Sequence, residues 1–303
     1  MKNFITRLIK KLTRPAIEDL SHRVSTVVAE ICESSRKLDD VKDQLDQIQK
    51  LNYERLLEER AKQFSKNFPP PTSSSSDGSR PLSEKGALEK YFDKNTTGRG
   101  IWKWRHYFPI YEKYLKRFIG KPSKLVEIGV YSGGSLRMWK DYLGEECEII
   151  GIDIENDCKA YEESRVRIEI GDQADSSFWN QFKMRETDIN VLIDDGGHTP
   201  EQQAVTLQEM LPHLSPGGVY ICEDIHYSDN SFINFAAGLV RELNSFEHIS
   251  GSALSSKATA FQKSIYGIHF YPYLMVIEKS IAPPLHFECP RRGTEWQPFF
   301  DHS

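Results

Sequence analysis

Long apolar runs are missing from this chain of 303 residues. None approaches the ~20 residues that a membrane-spanning helix needs. Cysteine is scarce: Cys32, Cys147, Cys158, Cys222 and Cys289 are scattered, odd in number and without a Cys-x-x-Cys pair. That pattern excludes a disulfide framework and a zinc ribbon, and it fits a reducing, cytoplasmic setting. Basic charge is not in excess either. The formal net charge is −5, so the chain carries no global footprint for nucleic acid, and none is expected as a partner. A chain of this length accommodates one sizeable α/β domain with its own core, plus an appendage.

Acidic residues are locally absent from residues 1–14, which hold Lys2, Arg7, Lys10, Lys11 and Arg14. Phe4, Ile5, Leu8, Ile9 and Leu12 fall at helical spacing on the opposite face. The charges interrupt the uninterrupted apolar core that a signal peptide requires. Two readings stand: a basic amphipathic helix in weak peripheral contact with an anionic membrane surface, or a solvated lead-in to the next helix.

Residues 15–66 read as a coiled-coil helix. Ile17, Val24, Ile31, Leu38 and Leu45 recur every seven residues, and Leu20, Val27, Ser34, Val41 and Ile48 follow three positions later. This 3.5-residue apolar period predicts a seam between helices, and β-branched residues at the first three positions of one series favour a parallel dimer. A homo-oligomer is therefore expected. The alternative is one amphipathic helix packed on the domain that follows. Residues 67–82 include Pro-Pro-Pro-Thr-Ser-Ser-Ser-Ser-Asp-Gly-Ser-Arg-Pro, a linker composition.

Residues 83–303 alternate strand and helix patterns. Short apolar runs at Leu125–Ile128, Ile149–Ile152, Val166–Ile170, Val191–Ile193 and Val219–Cys222 read as strands, and Pro200–Leu214 reads as a helix opened by proline. Such alternation predicts an α/β, Rossmann-like, doubly wound and mainly parallel sheet. Tyr266–Phe270 and Leu274–Glu278 predict a C-terminal antiparallel hairpin.

The first strand runs into Glu127-Ile-Gly129-Val-Tyr131-Ser-Gly133-Gly134-Ser135. Its glycines let backbone approach a ligand closely, but their spacing is not the dinucleotide Gly-x-Gly-x-x-Gly. A carboxylate at Glu127 is awkward beside a pyrophosphate and suits the ammonium of a methionine moiety. Asp153 ends the second strand, where an acid commonly takes ribose hydroxyls. Gly171-Asp172-Gln173 follows the third strand, where adenine would lie. These strand ends predict an S-adenosylmethionine (SAM) site, and Tyr131, Ser135 and Asp194 are assigned to the same cofactor. The competing readings are local: sharp turns need glycine, and acids cap helices.

The fourth strand ends in Ile193-Asp194-Asp195-Gly196-Gly197-His198 and the fifth in Cys222-Glu223-Asp224. Neighbouring parallel strands lie about 4.8 Å apart, so Asp195, Glu223 and Asp224 are expected to converge. Carboxylates so placed repel one another unless a cation sits among them, and hard oxygen ligands select Mg2+ or Mn2+. Such a metal lowers the pKa of a bound hydroxyl, and His198 is the candidate general base.

Val-Glu-Ile-Gly, Ile-Asp-Asp-Gly-Gly-His and Cys-Glu-Asp resemble the motifs of the sugar O-methyltransferases of the macrocin and mycinamicin type. Gly267-Ile-His269-Phe-Tyr-Pro-Tyr-Leu-Met-Val-Ile-Glu278 is similar as well. The resemblance covers roughly residues 84–280. It implies Mg2+ at Asp195, Glu223 and Asp224, His198 as base, and vicinal sugar hydroxyls as acceptors. Gly98-Arg-Gly-Ile-Trp102-Lys-Trp104-Arg-His106-Tyr107 is closer to a branch labelled cephalosporin-hydroxylase-like, whose motifs are those of methyltransferases. Trp102, Trp104, His106 and Tyr107 can stack a sugar ring, cover the cofactor or simply pack in a core. With His226 and His269 they form the candidate acceptor set. The expected activity is therefore SAM-dependent, metal-assisted O-methylation of a sugar or glycosylated metabolite. The other candidates are a catechol-like acceptor and a non-catalytic SAM-binding scaffold; the glycine spacing disfavours a nicotinamide oxidoreductase.

Overall fold

The computed structural model describes residues 2–69, 85–226, 230–246, 255–290 and 292–293, without the side chains of residues 2–18 and 255. The chain divides into two units, Met1–Arg80 and Pro81–Ser303.

Among the described residues of the first unit there is one helix, α1 (Lys2–Lys66). The two expected segments, 1–14 and 15–66, are therefore continuous, and Pro15 does not end the helix. The faces of the basic segment lie outside the described side chains, as does most of the expected linker, since residues 70–84 are not described. From Leu20 to Ile48 every apolar heptad residue is more than half exposed. Among the described residues no helix is long and apolar enough to cross a membrane.

The second unit carries α2 (Ala87–Lys94), α3 (Phe108–Leu115), β1 (Ser123–Ile128), α4 (Gly134–Leu143), β2 (Cys147–Asp153), β3 (Val166–Ile170), α5 (Ser176–Arg185), β4 (Val191–Asp194), α6 (Pro200–Met210), β5 (Val219–Cys222) and α7 (Phe232–Leu243). Then come β6 (Ser255–Lys257), α8 (Ala260–Ser264), β7 (Ile265–Tyr271), β8 (Leu274–Lys279) and β9 (His286–Glu288). Seven strands form one sheet in the order β3-β2-β1-β4-β5-β8-β7. The first five are parallel, and the β7–β8 hairpin joins antiparallel to β5. This is the expected doubly wound sheet with a terminal hairpin. The small β6–β9 pair has too short a pattern to be read from sequence.

Each central strand is buried on both faces, which explains why it reads as a continuous apolar run rather than an alternation. Leu125, Ile149, Val191 and Val219 face one cluster, with Leu88, Tyr111, Leu115 and Trp139 from α2, α3 and α4. Val126, Ile150, Leu192 and Tyr220 face the other, with Trp179, Phe182, Leu207 and Phe232 from α5, α6 and α7. Helix α6 opens on a capping box, Thr199 with Gln202, and Pro200 in the first turn. It ends at Met210 rather than Leu214, because Pro212 has no N–H to continue the ladder.

Cys147, Cys158 and Cys222 are buried, whereas Cys32 and Cys289 are exposed. Burial pushes the Cys147 and Cys222 thiols up and that of Cys158 up to about 12. Since the thiolate is the nucleophile, a disulfide reagent should titrate Cys32 and Cys289 in the folded chain and all five cysteines only after denaturation. A third fast thiol would contradict this core.

Candidate functional site

Register creates the site. Ile128 pairs with Ile152 and with Asp194, Asp194 with Cys222, and Asp153 with Ile170. The ladder runs one residue further: Gly129 donates to Ile152, Gly171 to Asp153, Asp195 to Ile128 and Glu223 to Asp194. The carboxyl ends of all five parallel strands thus stop level, the position where open α/β sheets bind ligands. A cavity of about 1270 Å3 opens there.

At the cofactor end, Gly129, Tyr131, Ser135, Asp153, Asp172 and Gln173 line the cavity. Gly129 has φ +90°, and a Cβ there would lie 2.0 Å from the carbonyl oxygen of Asp195. Gly133, at φ +69°, caps the start of α4, and a Cβ there would meet the Tyr161 ring. Asp153 accepts from the amides of Val130 and Tyr131 through Oδ2 and from Glu155 through Oδ1, so it fastens the glycine loop to β2. Three expected cofactor contacts are not in the lining: Gly133, Asp194 and Glu127. Asp194 is fully buried, accepting from Gln173 Nε2 at 2.9 Å and Tyr220 Oη at 3.2 Å. Burial pushes its carboxyl up to about 6. Glu127 is also fully buried; Oε2 accepts from Ser135 Oγ at 2.7 Å, and Oε1 lies 3.2 Å from the ammonium of Lys103.

Lys103 is the residue that sequence reasoning missed. Its side chain is 2% exposed, and its Nζ lies 2.6 Å from Asp195 Oδ2, 3.0 Å from Glu223 Oε1 and 3.2 Å from Glu127 Oε1. Burial alone draws its pKa down, but the three carboxylates outweigh that and hold it well above the ordinary lysine value. No local pattern marked it: Lys103 stands between two tryptophans that are 85% and 47% exposed.

At the reaction end, Asp195, His198 and Asp224 each offer a ligand atom within 4.8 Å of the others. His198 Nε2 is 3.8 Å from Asp195 Oδ1 and 3.6 Å from Asp224 Oδ2. One cation with bonds of about 2.0–2.2 Å fits between the two carboxylates; their oxygens suit Mn2+ or Mg2+, and the imidazole is left free beside it. Glu223, expected with them, points instead to Lys103 and to Tyr111 Oη at 2.6 Å.

Of the candidate acceptor residues, Trp102, Trp104, His106 and His226 line the cavity. Trp104 Nε1 donates to Asp224 Oδ1 at 2.9 Å, and its ring lies 5.6 Å from Tyr273 and 6.4 Å from His226. Two candidates do not reach the cavity. Tyr107 is fully buried, its hydroxyl 2.9 Å from Asp224 Oδ1. His269 sits on the hairpin, paired with Glu278 at 3.1 Å. Tyr131, His198, Asp224 and Tyr273 all have positive φ, and such backbone conformations cluster at functional sites.

Residues 126–225 match the family described as a methyltransferase domain. Demethylmacrocin O-methyltransferase of Streptomyces fradiae is 30% identical over 200 residues, covering 59% of this chain and 50% of that protein. Mycinamicin VI 2''-O-methyltransferase of Micromonospora griseorubida is 27% identical over 194 residues, covering 57% and 48%. Among solved structures, the MycE methyltransferase from the mycinamycin biosynthetic pathway, in complex with Mg and SAH, aligns with a TM-score of 0.55 at 25% identity over 65% of this chain and 54% of that one. The resemblance in motifs and the expected fold are borne out. This chain spans about half the length of the curated relatives it matches.

The Gly129 contact with the Asp195 carbonyl yields a direct check. Gly129→Ala adds a Cβ where backbone already lies, at a φ that L-residues rarely adopt. It should cost more than about 2 kcal/mol, read as a lowered denaturation midpoint. An unchanged midpoint would show that the two strand ends are not in contact.

Proposed function

We propose that this chain is a SAM-dependent, divalent-metal-assisted O-methyltransferase whose acceptor is a hydroxyl of a sugar or glycosylated metabolite. The observation that carries this reading is one cavity with the glycine loop and Asp153 at one end and Asp195, His198 and Asp224 at the other. The names of the relatives, which specify O-methylation of demethylmacrocin and mycinamicin VI, and the Mg and SAH of the solved neighbour support it.

SAM supplies the methyl group, and a divalent cation held by Asp195 and Asp224 supplies the positive charge that lowers the pKa of an acceptor hydroxyl. The chain's own residues do the rest. The glycine loop admits the cofactor at backbone distance, and Asp153 fixes that loop. His198 Nε2 takes the proton from the acceptor oxygen, and the flanking oxygens of Asp195 and Asp224 stabilise the imidazolium. Trp104 and Tyr273, half exposed beside His226, offer aromatic faces to the apolar side of a sugar ring. Lys103, Tyr111 and Tyr107 hold the carboxylates in place.

The exposed heptad seam on α1 supports a second part of the reading: a second copy of this chain covers it in a coiled coil.

Incubation of the full chain with labelled SAM and Mg2+ should transfer label to glycosides and not to simple catechols. His198→Ala should cut turnover ~10²–10⁴-fold while S-adenosylhomocysteine still binds. Binding of NADH with no binding of S-adenosylhomocysteine would overturn the methyltransferase reading, and preferential labelling of catechols would overturn the acceptor. For the assembly, Leu38→Glu together with Leu45→Glu should reduce the mass measured by light scattering to that of one chain. An assembly unchanged by both charges would exclude the seam as the oligomer contact.

A further inference from the structure

Helix α1 carries a second apolar stripe, which its heptad seam does not use. By position on the helix, Phe4, Ile5, Leu8, Ile9 and Leu12 fall within an arc of about 140°, at roughly 100° per residue. That is the width of an amphipathic helix face. From Lys2 to Arg14 every other position is Lys, Arg, Asn or Thr. The helix is continuous from Lys2 to Lys66, so the stripe and the seam share one register. Carried back by sevens from Ile17, the seam falls on Lys10 and Asn3; carried back from Leu20, it falls on Thr13 and Thr6. All four are polar. The stripe is centred about 150° round the helix from these four positions. A helix paired along the seam therefore leaves the stripe uncovered.

Charge identifies what covers it. Residues 1–17 contain Lys2, Arg7, Lys10, Lys11 and Arg14 and no acid; the first acid is Glu18. The chain as a whole carries −5, so this segment is a basic patch on an acidic protein. Lys2 and Lys11 stand at the two margins of the apolar arc. There a long aliphatic stem follows the apolar surface and leaves its ammonium in water. An apolar groove on a protein has no need of basic residues all round the stripe. A surface with an apolar interior and anionic headgroups does. We propose that residues 2–14 of α1 are a membrane-surface contact: the stripe enters the headgroup region of an anionic bilayer, and the basic residues meet its phosphates. The contact is independent of the reaction carried out by the second unit.

The test is flotation of the full chain with vesicles of phosphatidylcholine, with and without phosphatidylglycerol. Partitioning onto the anionic vesicles should exceed that onto the neutral ones more than ~10-fold and should fall as salt is added. Leu8→Ser together with Leu12→Ser keeps every charge and should lower partitioning at least ~10-fold, through the lost apolar burial. Lys2→Gln together with Lys11→Gln keeps the stripe and should lower partitioning onto the anionic vesicles by about tenfold or more. Both variants should keep the wild-type mass in light scattering, because the stripe is off the seam. Should the leucine variant aggregate, the lysine variant decides alone. A wild-type chain that does not float with anionic vesicles would overturn the proposal. Undiminished flotation of either variant would overturn it too. A fall in mass in the leucine variant would assign the stripe to the contact between chains instead and overturn it as well.

Discussion

The Lys103 ammonium sits among Glu127, Asp195 and Glu223, and the order of the site depends on that arrangement. Parallel strands in register necessarily bring residues at their ends together, and here three of those residues are acids. Buried carboxylates in such proximity would take up protons or push the strand ends apart. One cation at hydrogen-bond distance from all three removes that conflict. Delivering it requires the segment ahead of α3 to cross the strand ends. That segment is fixed by Tyr107 against Asp224, by His106 against the carbonyl of Pro272, and by the packing of α3 into the core.

Beneath the cavity a second layer fixes the backbone. Gln173 donates to Asp194 and accepts from the amide of Gly197. Gln203 donates to the carbonyl of Glu223, and Asn230 donates to the carbonyl of His198 and to Gln203. Side-chain amides suit this work because each offers a donor and an acceptor, so a closed network leaves few groups unpaired. The left-handed conformations of His198 and Asp224 are held by these partners. Asp194, assigned from sequence to the cofactor, belongs to this layer.

What was legible in the sequence follows from the range of the interactions. The five parallel strands announced themselves because burial on both faces makes a run of Val, Ile and Leu, and a glycine or acid marks each end. The hairpin and the helix seam were likewise local patterns. The strand ends also revealed Asp153, Asp195, His198 and Asp224, because topology alone brings them to one edge. Lys103 was hidden because two of its partners lie 92 and 120 residues away, and no local pattern demands an ammonium there. Tyr107 and His269, read as acceptor candidates, lie off the cavity lining for a related reason: a polar aromatic residue near a motif reads the same whether its polar atom meets a ligand or another side chain. Glu223 was grouped with the aspartates by position, and its bonds to Lys103 and Tyr111 come from a segment far away in the chain.

The neighbours Trp102, Lys103 and Trp104 meet different surroundings: Trp102 is almost wholly exposed, Trp104 reaches Asp224, and Lys103 is buried among the carboxylates. A point change at Trp102 alters the aromatic surface at the cavity without touching the ammonium. The length of this segment is not free in the same way. Gly100 lies against Gly134 at one end and Tyr107 bonds Asp224 at the other, so one residue more or fewer between them would carry Lys103 off its partners.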